Sequence, residues 1–318
     1  MLVIILGISS IAVGIADISI KESFDIFLSN LFGMGNGTPQ EIIIMKLRVP
    51  RILLALITGV NLSVCGAVYQ AIFKNSMADP YILGVSSGAS LGAAFAFLLG
   101  GIIPIYAFAG AVVANILVFT LAGVKGKSST IRLLLAGMGI NYLFSSMLSL
   151  IRVYSNDREL ELFMWGMGSF ASASYKRVGI LFVISLPIII YFFVHRKNLN
   201  LLLLGEDTAK ALGVDCVKLR RKLLVASSIL IATTVSFTGT IGFVGLIIPH
   251  IIRMLVGANY RKNFVLTMFL GMIFMLLCDN ISRSLLQNSE IPIGIVTSVF
   301  GAPYFMYLVY KERRKGIL

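Results

Sequence analysis

The chain has 318 residues, 58% of them hydrophobic and only 13% charged, and it carries a formal charge of +13. Its mean hydropathy of +0.93 excludes an ordinary water-soluble fold, in which roughly 25% of residues are charged. The basic residues sit in short clusters between apolar runs, as the positive-inside bias requires, so nucleic acid is not needed to explain the charge.

A membrane-spanning helix takes about 20 apolar residues. Ten such runs fit, at 2–19, 51–73, 81–100, 104–123, 132–152, 178–195, 223–238, 241–257, 263–282 and 292–310. The expectation is an all-α polytopic membrane protein of about ten helices, with residues 1–318 forming one transmembrane domain. Placing both termini on the cytoplasmic side puts twice as many Lys and Arg inside as outside, which is the favoured orientation. The opening "MLVIILGISSIAVGIADIS" lacks the basic leader of a signal peptide and reads as a retained first span.

Residues 20–50 read as a long outer loop with the acids Glu22, Asp25 and Glu41. At its end, "MKLRVPRILLALITG" sets Arg48 and Arg51 on either side of Pro50, at the outer mouth of the second span. Outward arginines run against the topology bias. They can be explained by snorkelling to lipid phosphates, or by an acidic partner outside.

"GVSSGASLG" spaces Gly84, Gly88 and Gly92 four apart, a bare stripe against which another helix can pack closely. "VKGKSST" ends like a phosphate-binding loop. Its first glycine is replaced by Leu121, however, and no strand precedes it, so this chain is not expected to bind ATP. Residues 153–177 form an outer loop apolar enough in the middle for a short interfacial helix.

"LLLLGEDTAKALGV" reads as a cytoplasmic amphipathic segment. Gly205 opens a turn, Glu206 and Asp207 suit a helix N-terminus, and Gly213 suits its C-terminal end. It is either an ordinary interfacial helix or a docking helix for a cytoplasmic protein. In "GTIGFVGLIIPHII", Gly239, Gly242, Gly245 and Pro249 predict a bent or unwound span, with His250 as a packed polar residue. Asp279 and Arg283 stand at i, i+4, an expected local ion pair, followed by Glu290.

No carboxylates pair across the middle of the membrane, which argues against a proton- or sodium-driven carrier. No nucleophile–base constellation supports a membrane-embedded enzyme, and no catalytic residue is assigned. Cys65, Cys216, Cys278, His195 and His250 are scattered without metal-ligand spacing, so neither a disulfide nor a metal site is expected.

Five segments, taken together, resemble one family. They are "LRVPRILLALITGVNLSVCGAVYQAIFKNSMADPYILGVSSGASLG", "RLLLAGMGI", "LLLLGEDTAKALGV", "GTIGFVGLIIPHIIR" and "SEIPIGIVTSVFGAPYFMYLV". In order and spacing they look like FecCD-type permeases, the membrane subunits of ATP-binding-cassette importers for iron–siderophores, haem and vitamin B12. The likeness runs from about residue 40 to the C-terminus.

The resemblance implies a type II importer permease fold in a bacterial or archaeal plasma membrane. It implies a second permease subunit, either a copy or a paralogue, with the path between the two. Two cytoplasmic ATPase subunits would hold ATP and magnesium, leaving this chain without a cofactor. An external substrate-binding protein or lipoprotein would deliver cargo, with an iron–siderophore favoured over haem or cobalamin. Arg48, Arg51 and Arg283 would receive acids of that binding protein. Gly205, Glu206, Asp207, Ala211, Leu212 and Gly213 would couple to the ATPase, and Ser129 and Thr130 would fall in the cytoplasmic gate.

Overall fold

The computed structural model describes residues 2–314 apart from 15, 17, 34, 36, 124–129, 155–158, 205, 287 and 288. The described residues form helices and turns, with no strand among them. In chain order the elements are α1 (Leu2–Ala12), α2 (Ile20–Leu31), α3 (Pro39–Ile42), a π-helical turn (Ile43–Arg48), α4 (Val49–Phe73) and a 3₁₀ turn (Pro80–Leu83). There follow α5 (Val85–Leu99), α6 (Ile103–Leu121), α7 (Thr130–Tyr154), α8 (Glu159–Gly166), α9 (Tyr175–Leu204) and α10 (Glu206–Ala211). The chain closes with α11 (Cys216–Thr238), α12 (Val244–Val256), α13 (Tyr260–Ser284) and α14 (Ile293–Arg314).

Among the described residues, seven helical stretches are long and apolar enough to cross a membrane: Pro39–Phe73, α6, α7, α9, α11, α13 and Ile293–Lys311. Three shorter apolar helices, α1, α5 and α12, occupy the remaining places where the sequence predicted spans.

The main departure lies in residues 20–50. This stretch is not an open loop. Ser19 Oγ accepts the Glu22 N–H and starts α2, and Thr38 Oγ1 accepts the Glu41 N–H and starts α3, with Pro39 in its first turn. These are ordinary N-caps. From Pro39 the helix runs through Pro50 to Phe73. A proline inside an α-helix removes one hydrogen bond and crowds the carbonyl four residues back. Here the preceding turn is π-helical, and the Val49 N–H reaches the Ile44 carbonyl five residues back. The wider turn gives the proline ring room.

Other boundaries shift as well. α9 continues to Leu204 and α11 starts at Cys216, so the third predicted loop shrinks to α10 and its turns. α1 stops at Ala12 instead of running to residue 19.

α4 is the hub, packing against α9, α11, α12 and α13. In the stretch Pro39–Phe73, 83% of the most apolar window is buried, so polar side chains there need partners inside the bundle. The Asn61 amide donates to Ser185 Oγ at 2.8 Å and to Thr234 Oγ1 at 3.0 Å, joining α4 to α9 and α11. The Gln70 amide donates to the Leu246 carbonyl at 3.0 Å. Close approach depends on missing side chains. A Cβ on Gly59 would stand 2.7 Å from the Gly271 carbonyl carbon, and one on Gly66 would stand 2.5 Å from that of Gly245. Small residues at crossings let backbones meet where lipid offers no hydrophobic drive.

Three irregular segments tie the bundle together. The Ser169 N–H donates to the Thr238 carbonyl at 2.8 Å, Ile293 N–H to Gly168 at 3.1 Å, and Gly294 N–H to Met167 at 2.9 Å. Tyr81 Oη donates to the Ile241 carbonyl at 3.1 Å and accepts the Ile241 N–H at 3.3 Å. Non-helical backbone in such a protein is tolerated where protein groups satisfy it. The break foreseen near residues 239–252 falls ahead of α12, where Phe243 adopts a left-handed φ of 68°.

Candidate functional site

Packing of α13 and α1 against the start of α4 brings the three singled-out arginines together. Asp279 is the anchor and is fully buried. Its Oδ1 accepts Arg51 Nε at 2.8 Å, and its Oδ2 lies 3.1 Å from Arg283 Nη2. Arg51 Nη1 also donates to both oxygens of Glu290, at 2.8 and 2.7 Å.

The other donors serve α1. Arg48 donates to the carbonyls of Ile11 at 2.7 Å, Ala12 at 3.1 Å and Ala16 at 2.6 Å. Arg283 donates to the Val13 carbonyl at 2.6 Å and to Asn280 Oδ1 at 2.8 Å. The last carbonyls of a helix have no intrahelical partner and form the negative end of its dipole. Two guanidiniums, each with a fork of five N–H donors, close the end of α1.

Arg48, Arg51 and Arg283 are 5%, 7% and 3% exposed. They do not snorkel to lipid; each is buried and has partners inside the protein. For Arg51 and Arg283 the physical reason is Asp279, since a buried carboxylate must be paired and hydrogen-bonded, whereas Arg48 is held by the carbonyls at the end of α1. The expected Asp279–Arg283 pair is present, but it is half of a bridge that also takes in Arg51.

A cavity of about 440 Å³ opens over this cluster, lined by Gly14, Leu47, Arg48, Arg51, Arg283 and Glu290 among others. Three guanidiniums against two carboxylates leave it positive. Arg283 Nε is buried and donates to no group among the described residues. The side chain of Glu290 is 31% exposed, so it is the member of the cluster that solvent reaches. Chemically, the cavity suits an incoming carboxylate.

The second candidate region is α10. Ala209 is fully buried, fixing the helix to its neighbours α9 and α11. Gly213, at φ 80°, ends it with two bonds: its own N–H to the Lys210 carbonyl and the Val214 N–H to the Ala209 carbonyl, both 2.9 Å. That is a Schellman closure, which needs the left-handed conformation glycine allows. Leu212 is 60% exposed, an apolar side chain held outward by a rigid turn. Ala211 is exposed beside it. Glu206 and Asp207 open α10, and Gly205 lies outside the described residues. Asp215 then caps α11 by accepting the Lys218 N–H at 3.0 Å. That bond, helped by the Lys218 ammonium, holds its carboxyl below the usual range.

Gly88 and Gly92 face α6. A Cβ on Gly88 would sit 2.5 Å from the Gly110 carbonyl oxygen and 2.7 Å from Ala114 Cβ. Gly84 is not part of that stripe, because it caps the start of α5 at φ 80°. Of the proposed gate pair, Ser129 lies outside the described residues, as does most of the phosphate-loop look-alike, and half-buried Thr130 begins α7. Among the described residues no three His, Cys, Asp or Glu side chains gather as a metal site. The sequence reading missed the Arg51–Glu290 bond and the capping of α1. The available signal was that Asp279 and Glu290 both lie close to Arg283 in an otherwise apolar stretch.

The family model described as the FecCD transport family matches residues 2–311. The molybdate import system permease protein of Haemophilus influenzae is 37% identical over 100% of this chain and 95% of its own length. The hemin transport system permease protein of Yersinia pestis is 34% identical over 99% of this chain and 94% of its own. A solved structure, described as an inward-facing conformation of a metal-chelate type ABC transporter, superposes with a TM-score of 0.82 at 37% identity, covering 98% and 96% of the two chains. The chain belongs to the FecCD transport family and is a multi-pass membrane permease of the ATP-binding-cassette importer class.

Proposed function

We propose that this chain forms the membrane path of an importer for an iron–siderophore chelate. The observation that carries the reading is the full-length likeness to a metal-chelate type transporter at 37% identity. ATP is hydrolysed, with magnesium, on two partner ATPase subunits, and this chain carries no catalytic residue. A second permease, a copy or a paralogue, completes the path.

An external substrate-binding protein or lipoprotein docks at the arginine cluster. The supporting geometry is the positive cavity, in which an acidic side chain would meet Arg48, Arg51 and Arg283. Charge complementarity of this kind sets orientation and association rate more than total affinity. At the opposite end, closure of the ATPase pair pushes on α10 through Ala211 and Leu212. Gly205 and Gly213 bound the lever, and Glu206 and Asp207 form its first turn. α10 rests on α9 and α11, which pack against α4, so the push reaches the hub of the bundle. Thr130, at the base of α7, and Ser129 form the gate that this motion opens and closes.

The test is transport by the assembled complex in vesicles. ⁵⁵Fe-siderophore uptake should require ATP on the ATPase side and the binding protein on the other. ATP-dependent uptake of haem or cobalamin with none of the siderophore would replace the cargo assignment. Molybdate is a second reading, favoured by the 37% identical molybdate permease, and labelled molybdate belongs in the same assay. Uptake of any cargo without the ATPase would overturn the importer mechanism itself.

A further inference from the structure

One face of α11 has a feature that neither docking nor coupling uses. Lys218, Arg221, Lys222, Val225 and Ile229 are exposed and follow helical spacing, so they form one stripe. Its first turns are cationic and its continuation is apolar. A groove lies on either side of the stripe. The one against α6 has about 440 Å³ and is lined by Ile116, Phe119, Thr120, Arg221, Leu224 and Val225. The one against α9 has about 600 Å³ and is lined by Ile188, Tyr191, Lys222, Val225, Ala226 and Ile229, together with Lys218 and Arg221. Arg221 and Val225 therefore wall both grooves.

Arg221 and Lys222 make no ion pair with any described residue, and the nearby acid, Asp215, is engaged by Lys218 at 3.2 Å. Both cavities fall within the range of about 300–1,000 Å³ that holds small ligands. Their linings are mostly apolar, and the charged members are the exposed cations Lys218, Arg221 and Lys222. That combination matches an amphiphile with an anionic head and apolar tails. Basic pockets between membrane helices hold lipid headgroups by the same logic. A second copy of this chain seated symmetrically on the face would add three more cations to the same interface, because an isologous contact repeats its own patch.

We propose that the two grooves flanking α11 form a binding site for an anionic phospholipid. The headgroup phosphate sits at Arg221 and Lys222, and the acyl chains lie along Val225, one in each groove. The ligand is a bilayer lipid, and the site serves to fix α11 and its junction with α10 against the membrane surface.

The experiment is native mass spectrometry of the assembled transporter, delipidated in detergent and titrated with phosphatidylglycerol or phosphatidylcholine of matched chains. Wild type should retain phosphatidylglycerol preferentially. Arg221→Gln with Lys222→Gln should lower that preference by about thirtyfold, as expected for two lost contacts to an anionic headgroup. Val225→Trp should reduce retention while leaving every charge in place, because it fills both grooves. Lys262→Gln, which removes an exposed cation elsewhere, should change nothing. Glycerol 3-phosphate at millimolar concentration should not displace the lipid.

Equal retention of the two lipids by wild type would overturn the proposal. So would full retention in Val225→Trp, or displacement by glycerol 3-phosphate, since either means adsorption of a phosphate without acyl recognition. Cross-linking of two permease copies through Val225→Cys would also overturn it, by assigning the face to a second chain.

Discussion

Arg51 neutralises two acids at once, Asp279 and Glu290. Arg51→Ala would leave Asp279 buried and short of a partner. Breaking a buried pair by removing one member costs about 3–5 kcal/mol. The expected outcome is a clearly lower thermal midpoint for the detergent-purified permease, with recovery when Asp279→Asn and Glu290→Gln are added. A variant as stable as wild type would show that the cluster is held for docking alone. Arg48 differs in kind, since its partners are carbonyls of α1 and its neighbour Ala16. The residue types were legible in the sequence, as was the i, i+4 pair. Their internal pairing was not legible, because Arg51 and its acid Asp279 are 228 positions apart. No local pattern signals so distant a partner.

Helices in this bundle meet through glycine, and the α5–α6 contact shows how tight that is. Alanine at position 88 adds a single methyl group. The geometry puts its methyl 2.5 Å from the backbone oxygen of Gly110, which cannot rotate away. Gly88→Ala should therefore lower stability by about 1–3 kcal/mol, the usual cost of overpacking, and Gly88→Leu by more. Gly179→Ala, with nothing within 4 Å of the added carbon, should leave the thermal midpoint unchanged or slightly raised. If alanine at 88 and at 179 behave alike, the packing argument is wrong. On α10, Leu212→Asp should leave the permease inserted and stable while the ATPase no longer co-purifies, because that side chain faces away from the bundle. Undiminished co-purification and cargo-stimulated ATP turnover would place the coupling contact elsewhere. α2 and α3 went unread in the sequence, since α2 interleaves its apolar residues with charged and polar ones and neither helix is long enough to span a membrane.

Across the whole molecule, the three cysteines provide a built-in test of topology. Cys65, Cys216 and Cys278 are all buried, so the native protein should react little with membrane-impermeant maleimide. Lys46→Cys and Lys262→Cys, both at exposed positions, should then label from opposite sides of sealed vesicles, with Lys262 on the ATPase side. Labelling of both from the same side would refute an odd number of crossings between them, and labelling of Lys46→Cys from the ATPase side would invert the orientation inferred from Lys and Arg.

The sequence alone determined the membrane class, the places of the apolar helices, the family and the position of the short helix α10. Each of these depends on hydropathy or on motifs that are contiguous in the chain. Only the tertiary structure decided what the arginines touch, that α4 is the hub and that α1 ends under two guanidiniums. It also decided that a cationic stripe on α11 stands between two apolar grooves. These are pairings between distant segments. In an apolar solvent they arise because every buried charge and every helix-end carbonyl must find a partner inside the protein, wherever in the sequence that partner happens to lie.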